Sequence, residues 1–213
     1  MNSLEKGKEL FEKQKYNEAI NALNDFLLTH NNNADALYTR SMCYRRIDEF
    51  EKSITDLTSI LIRLPDEATL LSERGVSHFH NKDIEASMKD MDKAVELEPN
   101  NPYRYSSRAY IRAKIDVDGA IEDYKKAVEL DPKDPIAFNN LGLLEENAGK
   151  IKIAQKRFKA SNKIIGYNPN KGNQKEIPKI IRKESIGKVM LNVFTSKATR
   201  IEYFNFLKSF FKK

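Results

Sequence analysis

The sequence predicts an all-α fold in which pairs of helices repeat along the chain, and two regularities indicate it. In the first, a small residue is followed four positions later by a large one, and this combination recurs five times at intervals of 33 or 34 residues. The small residues are Ala19, Ser53, Ser87, Ala120 and Ala154, and the large residues are Leu23, Leu57, Met91, Tyr124 and Phe158. In the second, another small residue recurs upstream at the same intervals, at Gly7, Ser41, Gly75, Ala109 and Gly142. Five copies at one period indicate a repeat array.

Two helices are predicted in each period. The second helix is clearest in Asp118–Pro132, where Ala120, Tyr124 and Val128 lie on one apolar stripe and the helix ends at the proline. The first helix carries the upstream small residue, which allows the two helices of a pair to approach closely. The second helices stop near Asn31, Pro65, Pro99, Pro132 and Gly166, and proline and glycine are helix terminators.

The periods divide the chain into five repeats and a terminal segment. The boundaries are 1–33, 34–67, 68–101, 102–134 and 135–168 for the repeats and 169–213 for the terminal segment. The fourth repeat is one residue shorter at its first-to-second helix connection, and we expect the difference to fall in a turn that holds Asp116, Asp118 and Gly119.

The terminal segment is basic and aromatic-rich, with 11 Lys or Arg residues against 3 Asp or Glu residues. Its apolar residues predict helices that cap the open end of the array, where a last repeat exposes an apolar face. These residues are Ile180, Ile181, Ile186, Val189, Met190, Val193, Ile201, Phe204, Leu207, Phe210 and Phe211. One alternative is that the segment docks in a groove of its own chain or of a second chain. In the second case the protein would be a self-associating assembly unit. A less favoured one is association of this basic segment with a membrane surface or nucleic acid.

Composition and cysteine content point to a reducing compartment. The sequence has no apolar run near the ~20 residues that a membrane-spanning helix needs, and we expect no transmembrane segment and no secretion signal. The single cysteine, Cys43, excludes an internal disulfide framework. It lies in a predicted packed helix, and we expect an inert core thiol in a cytoplasmic protein.

No arrangement of residues suggests catalysis or metal binding. The three histidines are His30, His78 and His80, and no Cys/His spacing suits zinc. There is no glycine-rich phosphate loop, and the carboxylates are scattered along predicted solvent-exposed helix faces. We therefore expect no enzyme activity, no metal and no cofactor.

Arginine and aspartate occur together in the three central repeats. Arg40, Arg74 and Arg108 lie on first helices, and Asp56, Asp90 and Asp123 lie on the second helices of the same repeats. The first and fifth repeats lack both, with Lys6 and Ala22 in one and Leu141 and Arg157 in the other. Because a ligand-binding arginine row would not require the aspartates, we favour an ion pair inside each repeat.

The order of small, aromatic or leucine, small and proline residues resembles the tetratricopeptide repeat. The segments Met91–Pro99 and Asp123–Pro132 are close to the consensus of that family, and the resemblance covers about residues 1–168. His78 and Glu145 depart from it, at positions that are usually apolar or aromatic. The resemblance implies a right-handed solenoid of antiparallel helix pairs whose first helices line a concave groove that binds a protein or peptide.

Candidate groove residues follow from projecting the first helices. They are Tyr38, Met42, Arg45, Thr69, Glu73, Val76, His80, Tyr103, Ser107, Tyr110, Lys114, Asn139, Asn140, Leu143 and Asn147. Tyrosine and arginine often anchor interfaces, and asparagine can hold a peptide backbone. The family members that grip a chaperone's terminal carboxylate use Lys, Asn and Arg, whereas the matching residues here are Leu4, Lys8, Thr39, Thr69 and Glu73.

The sequence therefore predicts a non-enzymatic scaffold or adaptor that binds a protein or peptide segment of unknown identity. Self-association is the alternative, a nucleic-acid partner is disfavoured by the near-neutral repeats, and a chaperone C-terminus is disfavoured because Glu73 would repel a carboxylate.

Overall fold

The computed structural model describes residues 3–167, and this part of the chain folds into ten α-helices, two in each predicted repeat. The helices are α1 (Ser3–Glu12), α2 (Tyr16–Leu27), α3 (Ala34–Arg46), α4 (Phe50–Leu61), α5 (Ala68–His80), α6 (Ile84–Leu97), α7 (Pro102–Arg112), α8 (Val117–Leu130), α9 (Pro135–Asn147) and α10 (Ile151–Ile164). The predicted all-α class is confirmed for these residues.

Each helix packs mainly on its neighbours in the sequence. Every helix contacts the next one, and first helices of adjacent repeats also touch, as α1 does α3 and α5 does α7. A chain in which contacts join only neighbouring repeats forms a solenoid. The first helices therefore lie side by side. The surface that they present on the side away from the second helices is called the first-helix face.

The small residues of the first helices allow the close approach that the sequence predicts. A Cβ atom on Gly7 would lie 2.6 Å from Leu23 Cγ, and one on Gly142 would lie 2.6 Å from Phe158 Cε1. These two large residues belong to the second helices of the same pairs. The upstream small residue and the downstream large residue thus form one packing unit in these repeats.

Side chains at the helix N-termini accept hydrogen bonds from free backbone N–H groups. These capping residues are Asn33, Asp83, Asn101, Asp116 and Asp134. Each satisfies donors that the helix itself leaves unpaired.

The predicted turn of the fourth repeat is wrong in one respect. Asp116 is the N-cap of α8, but Asp118 and Gly119 lie inside that helix. The Arg112 guanidinium packs against Gly119, where a Cβ atom would lie 2.1 Å from its Cζ. The absence of a side chain at Gly119 therefore leaves room for the Arg112 guanidinium, and this glycine does not form the turn.

The hydrophobic core runs along the array between first and second helices. Cys43 is fully buried in it, and burial raises the pKa of this thiol to about 11. The predictions for the terminal segment, 169–213, fall outside the residues that the structure describes. Among residues 3–167, no helix has both the length and the apolar character to cross a bilayer.

Candidate functional site

The three arginines of the central repeats contact the aspartates of the same repeats. Each guanidinium donates from Nε and Nη2 to the two carboxylate oxygens, and each aspartate is nearly fully buried. The two distances are 2.8 and 2.6 Å for Arg40–Asp56, 2.8 and 2.7 Å for Arg74–Asp90, and 2.9 and 2.6 Å for Arg108–Asp123. This bidentate geometry joins the two helices of one repeat.

The remaining guanidinium nitrogen of each arginine reaches the preceding repeat. Nη1 donates to the residue 16 positions earlier, on the second helix of that repeat. The acceptors are Asn24 at 2.7 Å from Arg40, Thr58 at 3.2 Å from Arg74 and Asp92 at 2.8 Å from Arg108. One side chain thus links three helices, and its donors are used within the protein.

The fifth repeat contains an ion pair of the opposite polarity. Arg157 of α10 occupies the position of the aspartates and donates to Glu145 of α9, at 3.1 Å from Nε to Oε2. Glu145 is almost completely buried. Sequence comparison among the repeats marked Glu145 only as a departure, because its partner lies at a different register from the Arg–Asp pairs.

Another buried arginine was not anticipated from the sequence. Arg104 of α7 donates from Nε to Glu98 at 2.8 Å and from Nη2 to Thr69 of α5 at 2.7 Å. It is 5% exposed and ties the third repeat to the fourth. Thr69, a predicted groove residue, is therefore one of its acceptors.

Ion pairs bridge adjacent first helices in the N-terminal half of the first-helix face. Lys8 of α1 contacts Asp35 of α3 at 3.0 Å, and Arg45 of α3 pairs with Glu73 of α5. The predicted groove residues Arg45 and Glu73 thus neutralise one another. Met42 was predicted to line the groove, but it is 8% exposed and belongs to the core.

A pocket opens in the C-terminal half of the first-helix face. It lies between α7 and α9, has a volume of about 330 Å³ and is floored by Tyr124 of α8. Its other lining residues are Val76, Tyr103, Ser106, Ser107, Tyr110, Asp134, Ile136, Ala137 and Asn140. Tyr103 and Tyr110 stand at it with 59% and 52% of their surface exposed. Five predicted groove residues therefore meet here: Val76, Tyr103, Ser107, Tyr110 and Asn140.

The pocket contains polar atoms that are incompletely satisfied. The hydroxyl of Ser106 is buried and has no hydrogen-bond partner among the described residues. The hydroxyl of Tyr124 accepts a hydrogen bond from Asn140 Nδ2 at 3.2 Å. Burial raises the pKa of Tyr124, and its hydroxyl, protonated at neutral pH as in any tyrosine, keeps a proton to donate. An apolar wall with a few oriented polar groups is typical of a binding pocket.

Aromatic contacts extend from this pocket towards the second repeat. Tyr110 meets Phe79 edge-on with ring centroids 5.8 Å apart, and His80 stacks on Phe50 at 5.2 Å. His80 is exposed, as are the other predicted residues Lys114, Asn139, Leu143 and Asn147. Tyr38 is half-buried, and burial raises its pKa.

A hollow of about 860 Å³ lies elsewhere, between α5, α6 and the turn after α7. The Arg74–Asp90 pair and the exposed chains of Lys93 and Glu96 line it. None of the predicted groove residues lines this hollow, and two of its ion pairs, Arg74–Asp90 and Lys93–Glu96, are satisfied within the repeats. Within residues 3–167 no group of His, Cys, Asp and Glu side chains could hold a metal ion.

Comparisons with known proteins agree on one family. Residues 68–101 match the model described as a tetratricopeptide repeat, and residues 116–149 match one described as a TPR repeat. A small glutamine-rich tetratricopeptide repeat-containing protein of Dictyostelium discoideum is 32% identical over 87 residues, which cover 41% of this chain and 26% of that protein. An Hsp70-Hsp90 organizing protein of Triticum aestivum is 27% identical over 97 residues, covering 46% of this chain and 17% of that protein.

Solved structures show the same fold. The crystal structure of MamA matches 75% of this chain and 94% of its own, with a TM-score of 0.66 and 22% sequence identity. The matching region spans about a quarter or less of the two curated relatives.

Proposed function

Because the chain is a tetratricopeptide repeat protein, we propose that it is a non-enzymatic scaffold or adaptor that binds a protein or peptide segment on its first-helix face. The observation that carries the proposal is the pocket between α7 and α9, with two half-exposed tyrosines beside it. The name of the wheat relative, an organizing protein for Hsp70 and Hsp90, supports a role in protein association.

The pocket accepts one apolar or aromatic side chain of an extended segment. Tyr103 and Tyr110 contribute large, rigid surfaces that lose little entropy on binding. Asn139 is exposed and forms no side-chain hydrogen bond within residues 3–167, so its amide can pair with a peptide backbone as both donor and acceptor. The N-terminal half of the face is less available, because Arg45 and Glu73 are already paired.

The segment recognised is not a chaperone-type terminal carboxylate. At the positions that grip such a carboxylate in related domains, Thr69 receives a hydrogen bond from Arg104 and Glu73 is paired with Arg45, so neither position supplies a free positive charge. A cytoplasmic location is part of the proposal, because the single cysteine is a buried thiol.

Selection from random peptides tests the proposal, because it requires no identified partner. Peptides displayed on phage are selected for binding to the full chain. A selected peptide is then synthesised, and its dissociation constant is measured by fluorescence polarisation. Tyr110→Ala should weaken binding about tenfold or more, as an interface anchor does, and should leave the melting temperature nearly unchanged. Tyr167→Ala, at a tyrosine 55% exposed outside the pocket, is the matched control. Equal affinity of all three proteins for the peptide would refute the pocket as the binding site.

A further inference from the structure

The charges of the chain are divided sharply at the start of α10. The residues before position 150 include 20 Lys or Arg and 28 Asp or Glu, whereas those from 150 onwards include 17 Lys or Arg and 3 Asp or Glu. The near-neutral net charge of the five repeats is therefore the sum of an acidic part before position 150 and a basic part after it. The helix α10 itself contains no acidic residue.

This reversal is concentrated on one face of the second helices. Four exposed positions, spaced by four, three and four residues, lie on one side of each of the last three second helices and are called the outer stripe. The outer stripe is Glu85, Lys89, Asp92 and Glu96 in α6, Asp118, Glu122, Lys125 and Glu129 in α8, and Lys152, Lys156, Lys159 and Lys163 in α10. Equivalent positions thus change from mostly acidic to entirely basic within one repeat.

The acidic outer stripes are largely neutralised and the basic one is not. Asp92 contacts Arg108 at 2.8 Å, Glu129 contacts Lys126 at 3.0 Å and Asp118 contacts Lys150 at 3.8 Å. The four stripe lysines of α10 have no acidic partner among residues 3–167. Like charges four residues apart destabilise a helix, so this arrangement costs stability unless an anionic partner is bound.

The geometry and the neighbouring residues favour a flat anionic surface. The first and last stripe lysines are 11 positions apart in the helix, so the row is about 16 Å long. The charges are all lysine, which acts as a point charge, and not arginine, whose planar fork suits phosphate recognition in nucleic acids. The exposed Ile165 and Tyr167 follow directly.

We propose that the outer stripe of α10 binds the surface of a bilayer that contains anionic lipids. Basic rows flanked by apolar and aromatic residues bind such surfaces through charge and interfacial burial. The stripe faces away from α9, because the residues of α10 that are buried, Ala154 and Ser161, lie on its opposite side. The surface is separate from the pocket on the first-helix face, so membrane contact and peptide binding can occur together.

Co-sedimentation of the full chain with vesicles tests this surface. Vesicles of phosphatidylcholine alone are compared with vesicles that also contain phosphatidylserine. Only the latter should bind the wild-type protein. Since a lysine near an anionic surface contributes about a fivefold gain in affinity, K152Q/K156Q/K159Q/K163Q should reduce binding tenfold or more. Its melting temperature should not fall, because the substitutions relieve repulsion within a helix.

A matched variant distinguishes binding through the outer stripe of α10 from an effect of the total positive charge. K89Q/K93Q/K125Q/K126Q removes the same number of positive charges from α6 and α8 and should leave vesicle binding unchanged. Equal losses in the two variants, or no binding of the wild-type protein to phosphatidylserine vesicles, would overturn the proposal. It would also be overturned if the α10 variant lost binding to single-stranded DNA, or lost self-association in light scattering, while vesicle binding stayed unchanged.

Discussion

At the scale of single residues, the central arginines act as cross-links of the array. Arg74 donates to Asp90 in its own repeat and to Thr58 in the preceding one. Asp90 is 5% exposed, so removal of its carboxylate leaves a largely buried guanidinium without its charge partner.

Asp90→Ala should therefore lower the free energy of unfolding by about 3 kcal/mol, as the breaking of a buried ion pair does. Glu96→Ala is the control, because Glu96 pairs with Lys93 on the exposed side of the same helix, and it should change stability by less than about 1 kcal/mol. Urea denaturation measures both. Similar small losses would show that the Arg–Asp pair contributes no more than a surface pair.

The buried thiol of Cys43 predicts a pH dependence of stability. Its pKa is about 11 in the folded chain and about 8.5 in an unfolded one. The folded state therefore holds the proton more tightly, and its stability advantage is complete below about pH 8.5 and is lost as pH rises towards 11.

The free energy of unfolding of the wild-type protein should fall relative to that of Cys43→Ala by about 2–3 kcal/mol between those pH values. The comparison cancels the titration of Tyr38 and Tyr124, whose pKa values are also raised by burial. Denaturation curves at a series of pH values measure the difference. A constant difference would mean that the thiol titrates normally in the folded protein.

At the scale of the elements, each helix pair depends on how closely its two helices approach. A Cβ atom on Gly75 would meet the flexible terminal methyl of Met91 at 3.0 Å and the carbonyl oxygen of Ser87 at 3.2 Å, whereas one on Gly142 would meet the rigid ring of Phe158 at 2.6 Å. The same substitution should thus be better tolerated at Gly75 than at Gly142.

Gly75→Ala should change stability by less than about 1 kcal/mol, because the better helix propensity of alanine offsets the tight contact with the carbonyl of Ser87. Gly142→Ala should lower it by about 1–3 kcal/mol, since the ring must move and the packing is strained. Thermal unfolding monitored by circular dichroism compares the two variants directly. If both proteins gained stability, the contact of Gly142 with Phe158 would not limit the helix approach.

At the scale of the whole molecule, the end of the array needs a covering surface. Ile151 and Ile153 of α10 are 46% and 44% exposed, and no sixth repeat follows in the part of the chain that the structure describes. We expect the terminal segment, 169–213, to pack against this end, since burying each large apolar side chain is worth about 1.5–3 kcal/mol.

Removal of residues 168–213 should then lower the melting temperature by several degrees and cause aggregation. Differential scanning calorimetry and light scattering of the full and shortened chains measure these effects. A shortened protein that melts unchanged but turns from dimer to monomer would instead support the self-associating assembly unit.

The sequence by itself determined the repeat architecture and the Arg–Asp contacts inside the three central repeats. The period of 33 or 34 residues specifies the helix pairs, since the same positions must be small, large or apolar for each pair to pack. The joint presence of Arg74 and Asp90, and of their counterparts, predicted the ion pairs, because the two residues occur in the same repeats.

Only the tertiary structure decided which groups meet across repeats. The contact of Arg45 with Glu73, the burial of Met42 and the pocket between α7 and α9 depend on how far each pair of helices is rotated against the next. A periodic pattern describes one repeat at a time and holds no information on that rotation. The pair of Glu145 with Arg157 could not be predicted for a related reason. Each of these residues lies at a position where the other repeats have a different residue type.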